Sequence, residues 1–148
     1  MRFTIENLAE LKEKAENSSR KRHPAIMHPD EYPGPQVLIN FILPSSYVSP
    51  HKHPNKEIWM PVIGKGYLLY FNESGKLEEK ILLSKNETLY EEVPESQYHG
   101  FIALNPMSFV NITQGPHNPQ DYITRASWAP EEQSEEAITY FESLKRLI

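Results

Sequence analysis

Ile5, Leu8 and Leu11 recur at threefold spacing, with Ala9 and Ala15 beside them and charges elsewhere. That pattern predicts an amphipathic helix over residues 5–17, with Thr4 as its N-cap and no capping box. The period is lost over 18–35, "SSRKRHPAIMHPDEYPGP", where four prolines predict a loop or extended arm. Short runs rich in β-branched and aromatic residues follow: 35–43, 57–64, 66–83, 87–94, 98–104 and 107–113. The run 66–83 reads as a hairpin turning on "NESGK", with Gly75 supplying a left-handed position. "EIWMPVIG" is apolar on both faces, which predicts a strand buried between two layers, with Pro61 marking an edge or a bulge. The last segment, 129–148, predicts a second helix with Pro130 at its first turn and Ile138, Phe141, Leu144 and Ile148 on one face. Strands at intervals of about ten residues with turn signals between them are the mark of an all-β sandwich or barrel. The expected fold class is all-β with flanking N- and C-terminal helices.

Composition narrows this picture. A chain of 148 residues fits one domain, 1–148. Its parts are an N-terminal helix and arm (1–34), a barrel core (about 35–128) and a C-terminal helix (129–148). Thirteen prolines favour short strands over long helices. There is no cysteine, so disulfides and thiolate ligands are excluded. A net charge of -5 argues against phosphate-backbone binding, and Arg20, Lys21 and Arg22 are too short a cluster to reverse it. Nucleic acid is therefore not an expected partner. No apolar run is long enough for a transmembrane helix, and the N-terminal residues lack the apolar core of a secretory signal. The expectation is a cytoplasmic protein without membrane contact.

The chemistry concentrates in "SPHKHPNKEIWMPVIG", residues 49–64. On an extended chain His51 and His53 project to one side, and Glu57 shares their parity if the intervening turn keeps register. Imidazole and carboxylate suit a first-row divalent ion. The best fourth ligand is His99, at the head of another strand. A solvated H-x-H turn is the plain competing reading, but the fixed spacing to Glu57 and Gly64 and the strand-borne His99 outweigh it. His117, in "GPHNP", reads as a loop residue. Trp59 and Ile63 share the parity of Glu57 and read as interior packing. Trp128 reads as the anchor of the C-terminal helix.

"PHKHPNKEIWMPVIG" resembles the first cupin motif, G-x5-H-x-H-x3,4-E-x6-G, at His51, His53, Glu57 and Gly64, with Ser45 in place of the leading glycine. "PESQYH" resembles the second motif at Pro94 and His99, with Ser96 and Ala103 replacing the usual glycine and asparagine. "QVLINFILPSSYVSPHKHPNKE", "GPHNPQDYITRASWAPEE" and "RKRHPAIMH" are similar to the WbuC-like cupin metalloproteins, over about residues 20–132. The resemblance implies a cupin double-stranded β-helix (jelly-roll barrel) and a setting in bacterial surface polysaccharide synthesis. It also implies a homodimer paired through outer strands. Arg22 and His28 stand where the family carries an arginine and a histidine upstream, with Pro24 and Ala25 departing from its polar residues. Both are candidates for contact with an anionic group of a substrate. Tyr47, four residues before His51, is a third candidate substrate contact.

The function expected is that of a metal-dependent enzyme holding one divalent ion (zinc, iron, manganese or nickel) and acting on a small polar, anionic or sugar-like molecule. A sugar or sugar nucleotide is the substrate the gene setting suggests. A non-catalytic module sensing a sugar or a metal is the alternative. A metal-free epimerase using one histidine as base fits poorly, because a base does not need four clustered ligands.

Overall fold

The computed structural model describes residues 1–29, 32–116 and 122–148. Two five-stranded antiparallel sheets face each other, and one helix covers the outer side of each. In chain order the elements are α1 (Ile5–Asn17), β1 (Arg22–Ile26), β2 (Pro35–Ile42), β3 (His51–Lys52), β4 (Glu57–Ile63), β5 (Lys65–Phe71), β6 (Leu77–Ser84), β7 (Glu91–Val93), β8 (Tyr98–Ala103), β9 (Met107–Gln114), β10 (Thr124–Arg125) and α2 (Glu135–Lys145). The first sheet runs β1-β2-β9-β4-β7 and the second β10-β3-β8-β5-β6.

Strand alternation explains how three apolar clusters arise. On β5, Leu68 and Tyr70 point between the sheets, where they meet Trp59, Phe101, Met107 and Phe109. Leu69 and Phe71 point the other way and meet Ile102, Phe141 and Leu144 under α2. Leu8, Leu11 and Ala15 of α1 pack on Phe41, on the outer side of the first sheet. A sheet covered on both faces needs strands apolar on both faces, which is why every residue of β8 is buried.

Several expectations are corrected. The segment 18–35 contains a strand, β1, paired with β2 from Arg22↔Ile42 to Ile26↔Leu38. Pro24 is tolerated because β1 is an edge strand, with no neighbour on its far side among the described residues. Helix α1 does carry a capping box. Thr4 Oγ1 accepts from Asn7 N, and Asn7 Oδ1 accepts from Thr4 N at 2.9 Å, so asparagine does the work of the usual Glu or Gln. Ile5 lies exposed, and Leu8, Leu11 and Ala15 form the buried stripe. Helix α2 starts at Glu135 and not near Pro130. Its N-cap is Ser134, whose hydroxyl accepts from Ala137 N, and its buried face is Ala137, Phe141 and Leu144, leaving Ile138 exposed. A register shift between Pro61 and Ile63 sends Ile63 outward, so it does not share the interior position of Trp59.

Gly64 closes β4 with φ +75°, and a Cβ there would overlap the Pro106 carbonyl oxygen and lie 2.8 Å from Met107 Cα. Both the left-handed backbone and the contact demand glycine. We expect Gly64→Ala to cost about 2–3 kcal/mol of stability, read as a lower midpoint in urea unfolding. An unchanged midpoint would show that the turn relaxes.

Candidate metal centre

The two sheets converge on one end of the sandwich, where each contributes part of a polar cluster. The second sheet supplies the imidazoles. His51 on β3 is the direct cross-strand partner of His99 on β8, so both point to the same face. His53, two residues on, falls beside them, and the three rings have centroids 4.6–5.5 Å apart. The first sheet supplies Glu57, at the start of β4. Glu57 Oε2 is 3.2 Å from His99 Nε2, and Glu57 Oε1 is 3.5 Å from His53 Nε2. The ligand atoms of His51, His53 and His99 all lie within 4.8 Å of one another. Glu57 and His99 are nearly inaccessible, at 3% and 1% exposure.

The tautomers are fixed by the main chain. His51 Nδ1 is 2.8 Å from Ser49 O, His53 Nδ1 is 2.7 Å from Tyr122 O, and His99 Nδ1 is 3.0 Å from Gln97 O. A carbonyl oxygen only accepts, so each Nδ1 donates a proton and each Nε2 turns a lone pair toward the cluster. His99 Nε2 is buried and has no hydrogen-bond partner, although a carboxylate oxygen stands 3.2 Å away. Two acceptors facing each other in a buried site are unfavourable, so the pair calls for a shared cation, either a proton on Nε2 or a metal ion. Bonds of about 2.0–2.2 Å to a common ion would separate neighbouring ligand atoms by roughly 3.0–3.5 Å, as the Glu57 contacts do.

Electrostatics agree with the geometry. Burial, reinforced by repulsion from His99 and His53, lowers the His51 pKa well below the usual imidazole range. Burial also lowers that of His53, against the opposing pull of Glu57. Burial alone would raise the Glu57 carboxyl, but a proton donated by His99 and positive charge at His53 and His51 hold it at about 2, so the carboxylate is ionised whenever positive charge sits among the imidazoles. Neutral imidazoles beside one ionised carboxylate are the donor set of a divalent-cation site.

Of the residues that support Glu57, Trp59 was read from the sequence as interior packing alone and Asn111 was not singled out. Asn111 Nδ2 on β9 donates to Glu57 Oε1 at 3.2 Å, and Trp59 Nε1 donates to Oε2 at 3.4 Å. Trp59 also stacks on Phe109 at 4.4 Å, so it serves both core and site. The Tyr122 ring packs against His53 at 4.5 Å, and burial together with the Glu57 charge keeps its phenol protonated. The parity of Asn111 with Phe109 and Met107 was the available signal, since alternate residues of β9 face the interior.

A cavity of about 200 Å³ opens over the cluster, walled by Val48, Phe101 and Ile123 and bounded by Arg22, Arg125 and Glu132. Arg22 thus lies at the cavity, held by Ser46 Oγ, Tyr47 O and an ion pair with Glu132 at 2.6 Å. The structure does not bring the other two candidate substrate contacts there. Tyr47 donates to Pro130 O and packs on Tyr140 and Phe141 of α2, lining a different cavity. His28 follows β1, with Nδ1 against Pro29 O, and is not among the described residues that bound the cavity. His117 lies outside the described residues.

Fold and site together are a double-stranded β-helix of the cupin type with three histidines close enough to hold a metal ion. The chain belongs to the family described as Domain of unknown function (DUF6016), whose model matches residues 3–83 and so contains His51, His53 and Glu57. No curated protein matches the chain. Solved structures share its fold. The capsular polysaccharide assembling protein CapF from Staphylococcus aureus is 20% identical, with a TM-score of 0.57 over 70% of this chain and 28% of its own. A conserved protein with a double-stranded β-helix domain from Klebsiella pneumoniae is 18% identical, with a TM-score of 0.55 over 74% of this chain and 88% of its own. An oxalate oxidase in complex with the substrate analogue glycolate is 16% identical, with a TM-score of 0.57 over 74% and 57%. The chain therefore spans under a third of CapF and little more than half of the oxidase. No helix among the described residues is long and apolar enough to cross a membrane.

Proposed function

We propose that this protein is a metal-dependent cupin enzyme acting on a small polar substrate, with one divalent ion held by His51, His53, Glu57 and His99. The observation that carries the reading is the buried, unpartnered Nε2 of His99 facing the Glu57 carboxylate at 3.2 Å. Zinc, iron, manganese and nickel all accept three imidazoles and a carboxylate. When bound, such an ion supplies Lewis-acid polarisation of a substrate oxygen. The chain's own residues do the rest. Backbone carbonyls hold the imidazoles in the ligating tautomer, Asn111 and Trp59 orient the carboxylate, and Phe101, Val48 and Ile123 keep the pocket dry.

The similarity of residues 20–132 to WbuC-like cupins supports a role in bacterial surface polysaccharide synthesis. CapF, a capsular polysaccharide assembling protein that shares the fold, points the same way. Elemental analysis of protein purified without a metal-affinity tag tests the core of the proposal. About one metal per chain is expected, and less than a tenth of that after reconstitution would overturn it. Metal-replete protein is then incubated with sugars, sugar nucleotides and small hydroxy acids, and products are followed by mass spectrometry. Ligand-dependent stabilisation with no product would replace the enzyme by a sensing module.

A further inference from the structure

Three arginines and one glutamate share the mouth of the metal cavity: Arg20, Arg22, Arg125 and Glu132. Glu132 is already well supplied with donors. Arg20 Nε reaches Oε2 at 3.0 Å, Arg22 Nη2 reaches Oε1 at 2.6 Å, and Ser49 N reaches Oε1 at 3.3 Å. Arg22 is half-buried and held on both terminal nitrogens, with further bonds to Ser46 Oγ and Tyr47 O. It is part of the wall. Arg125 differs. Its Nη1 stands 3.9 Å from Glu132 Oε1, makes no hydrogen bond among the described residues, and belongs to a side chain 52% exposed. One carboxylate against three guanidiniums leaves two positive charges in excess at the opening.

Arg125 is also placed by the ladder. It pairs directly with His51 across β10 and β3, so its side chain leaves the sheet on the same face as the imidazole cluster. We infer that the cavity is a receptor for a small oxyanion, a carboxylate or phosphate group whose charge is taken by the guanidinium fork of Arg125, with Arg20 beside it. This inference rests on the reading of the cavity as a substrate site and sharpens it. A planar fork of donors matches a two-oxygen anion, whereas a neutral sugar would leave the excess charge unanswered. The volume of about 200 Å³ lies below the range of roughly 300–1,000 Å³ usual for larger ligands. A compact acid or phosphate group matches that volume, and a sugar nucleotide would have to extend beyond it.

The test is calorimetric titration of inorganic phosphate, of glycolate and of glucose into wild type and Arg125→Ala, each metal-replete and metal-stripped, with metal content measured alongside. At least one of the two anions is expected to bind wild type and glucose is not. Arg125→Ala is expected to weaken that anion about tenfold with metal content unchanged. Preference between phosphate and glycolate tells which oxyanion chemistry the site serves. Arg125 is half-exposed, so the variant should fold, and an unchanged circular dichroism spectrum checks this. Two results overturn the inference: neither anion binding wild type at millimolar concentration, or Arg125→Ala binding as tightly as wild type. If wild type holds no metal yet still binds phosphate through Arg125, the metal proposal falls and the oxyanion site stands.

Discussion

His51→Ala is expected to lower metal affinity by at least about 100-fold, because removing a ligand costs more than removing one of its supporting hydrogen bonds. His51 supplies one of three imidazole lone pairs, and no fourth histidine among the described residues joins that group, with Glu57 the one carboxylate against it. Alanine leaves Ser49 O without its donor but disturbs little packing, because His51 occupies a two-residue strand at the cavity. The variant should therefore fold and elute as wild type while its metal content falls to background at micromolar metal. Retention of stoichiometric metal would remove His51 from the ligand set. His99→Ala is the harsher form of the same experiment, since His99 is buried at the centre of its sheet.

Removing the ion from wild type should have the second largest effect. A stripped site loses the ion that Glu57 and the imidazole lone pairs would share, and keeps its carboxylate compensated only by taking up a proton on a buried ring. A ligand present at 100 times its dissociation constant stabilises the native state by about 2.7 kcal/mol. For a chain of this size that corresponds to a fall in melting temperature of roughly 5–10 °C on chelation, restored by adding metal. The His51→Ala variant should show no further fall with chelator. A wild-type melting temperature indifferent to chelator would mean that the cluster holds its charge some other way.

How legible all this was in the sequence differs from element to element. Parity along a strand needs no tertiary information, so His51 and His53 could be placed on one side from spacing alone, whereas Glu57, tied to them only if the turn kept register, stands on the facing sheet and meets His53 and His99 across the gap. The helix over Ile5–Asn17 was equally plain, because its apolar period is complete. Strand β1 was hidden by Pro24, whose meaning depends on whether a neighbour needs its missing N–H. Only the sheet order answers that. The start of α2 was misplaced because Pro130 and Ser134 both look like helix beginnings, and tertiary contacts decide between them. The Arg125–Glu132 pair lay inside a segment quoted for its family likeness, but its charge partners sit more than 100 residues away at Arg20 and Arg22. No spacing rule reaches that far.

The three carbonyls behind the imidazoles have a consequence for how such a site varies over time. Many metal centres orient their histidines with side-chain carboxylates, and a single substitution can undo that support. Here the orienting atoms are main-chain oxygens of Ser49, Gln97 and Tyr122, which every amino acid would provide. Neighbouring side chains can drift without re-aiming the ligands. The pocket walls and the arginine rim can thus change without turning the three imidazoles away from one another.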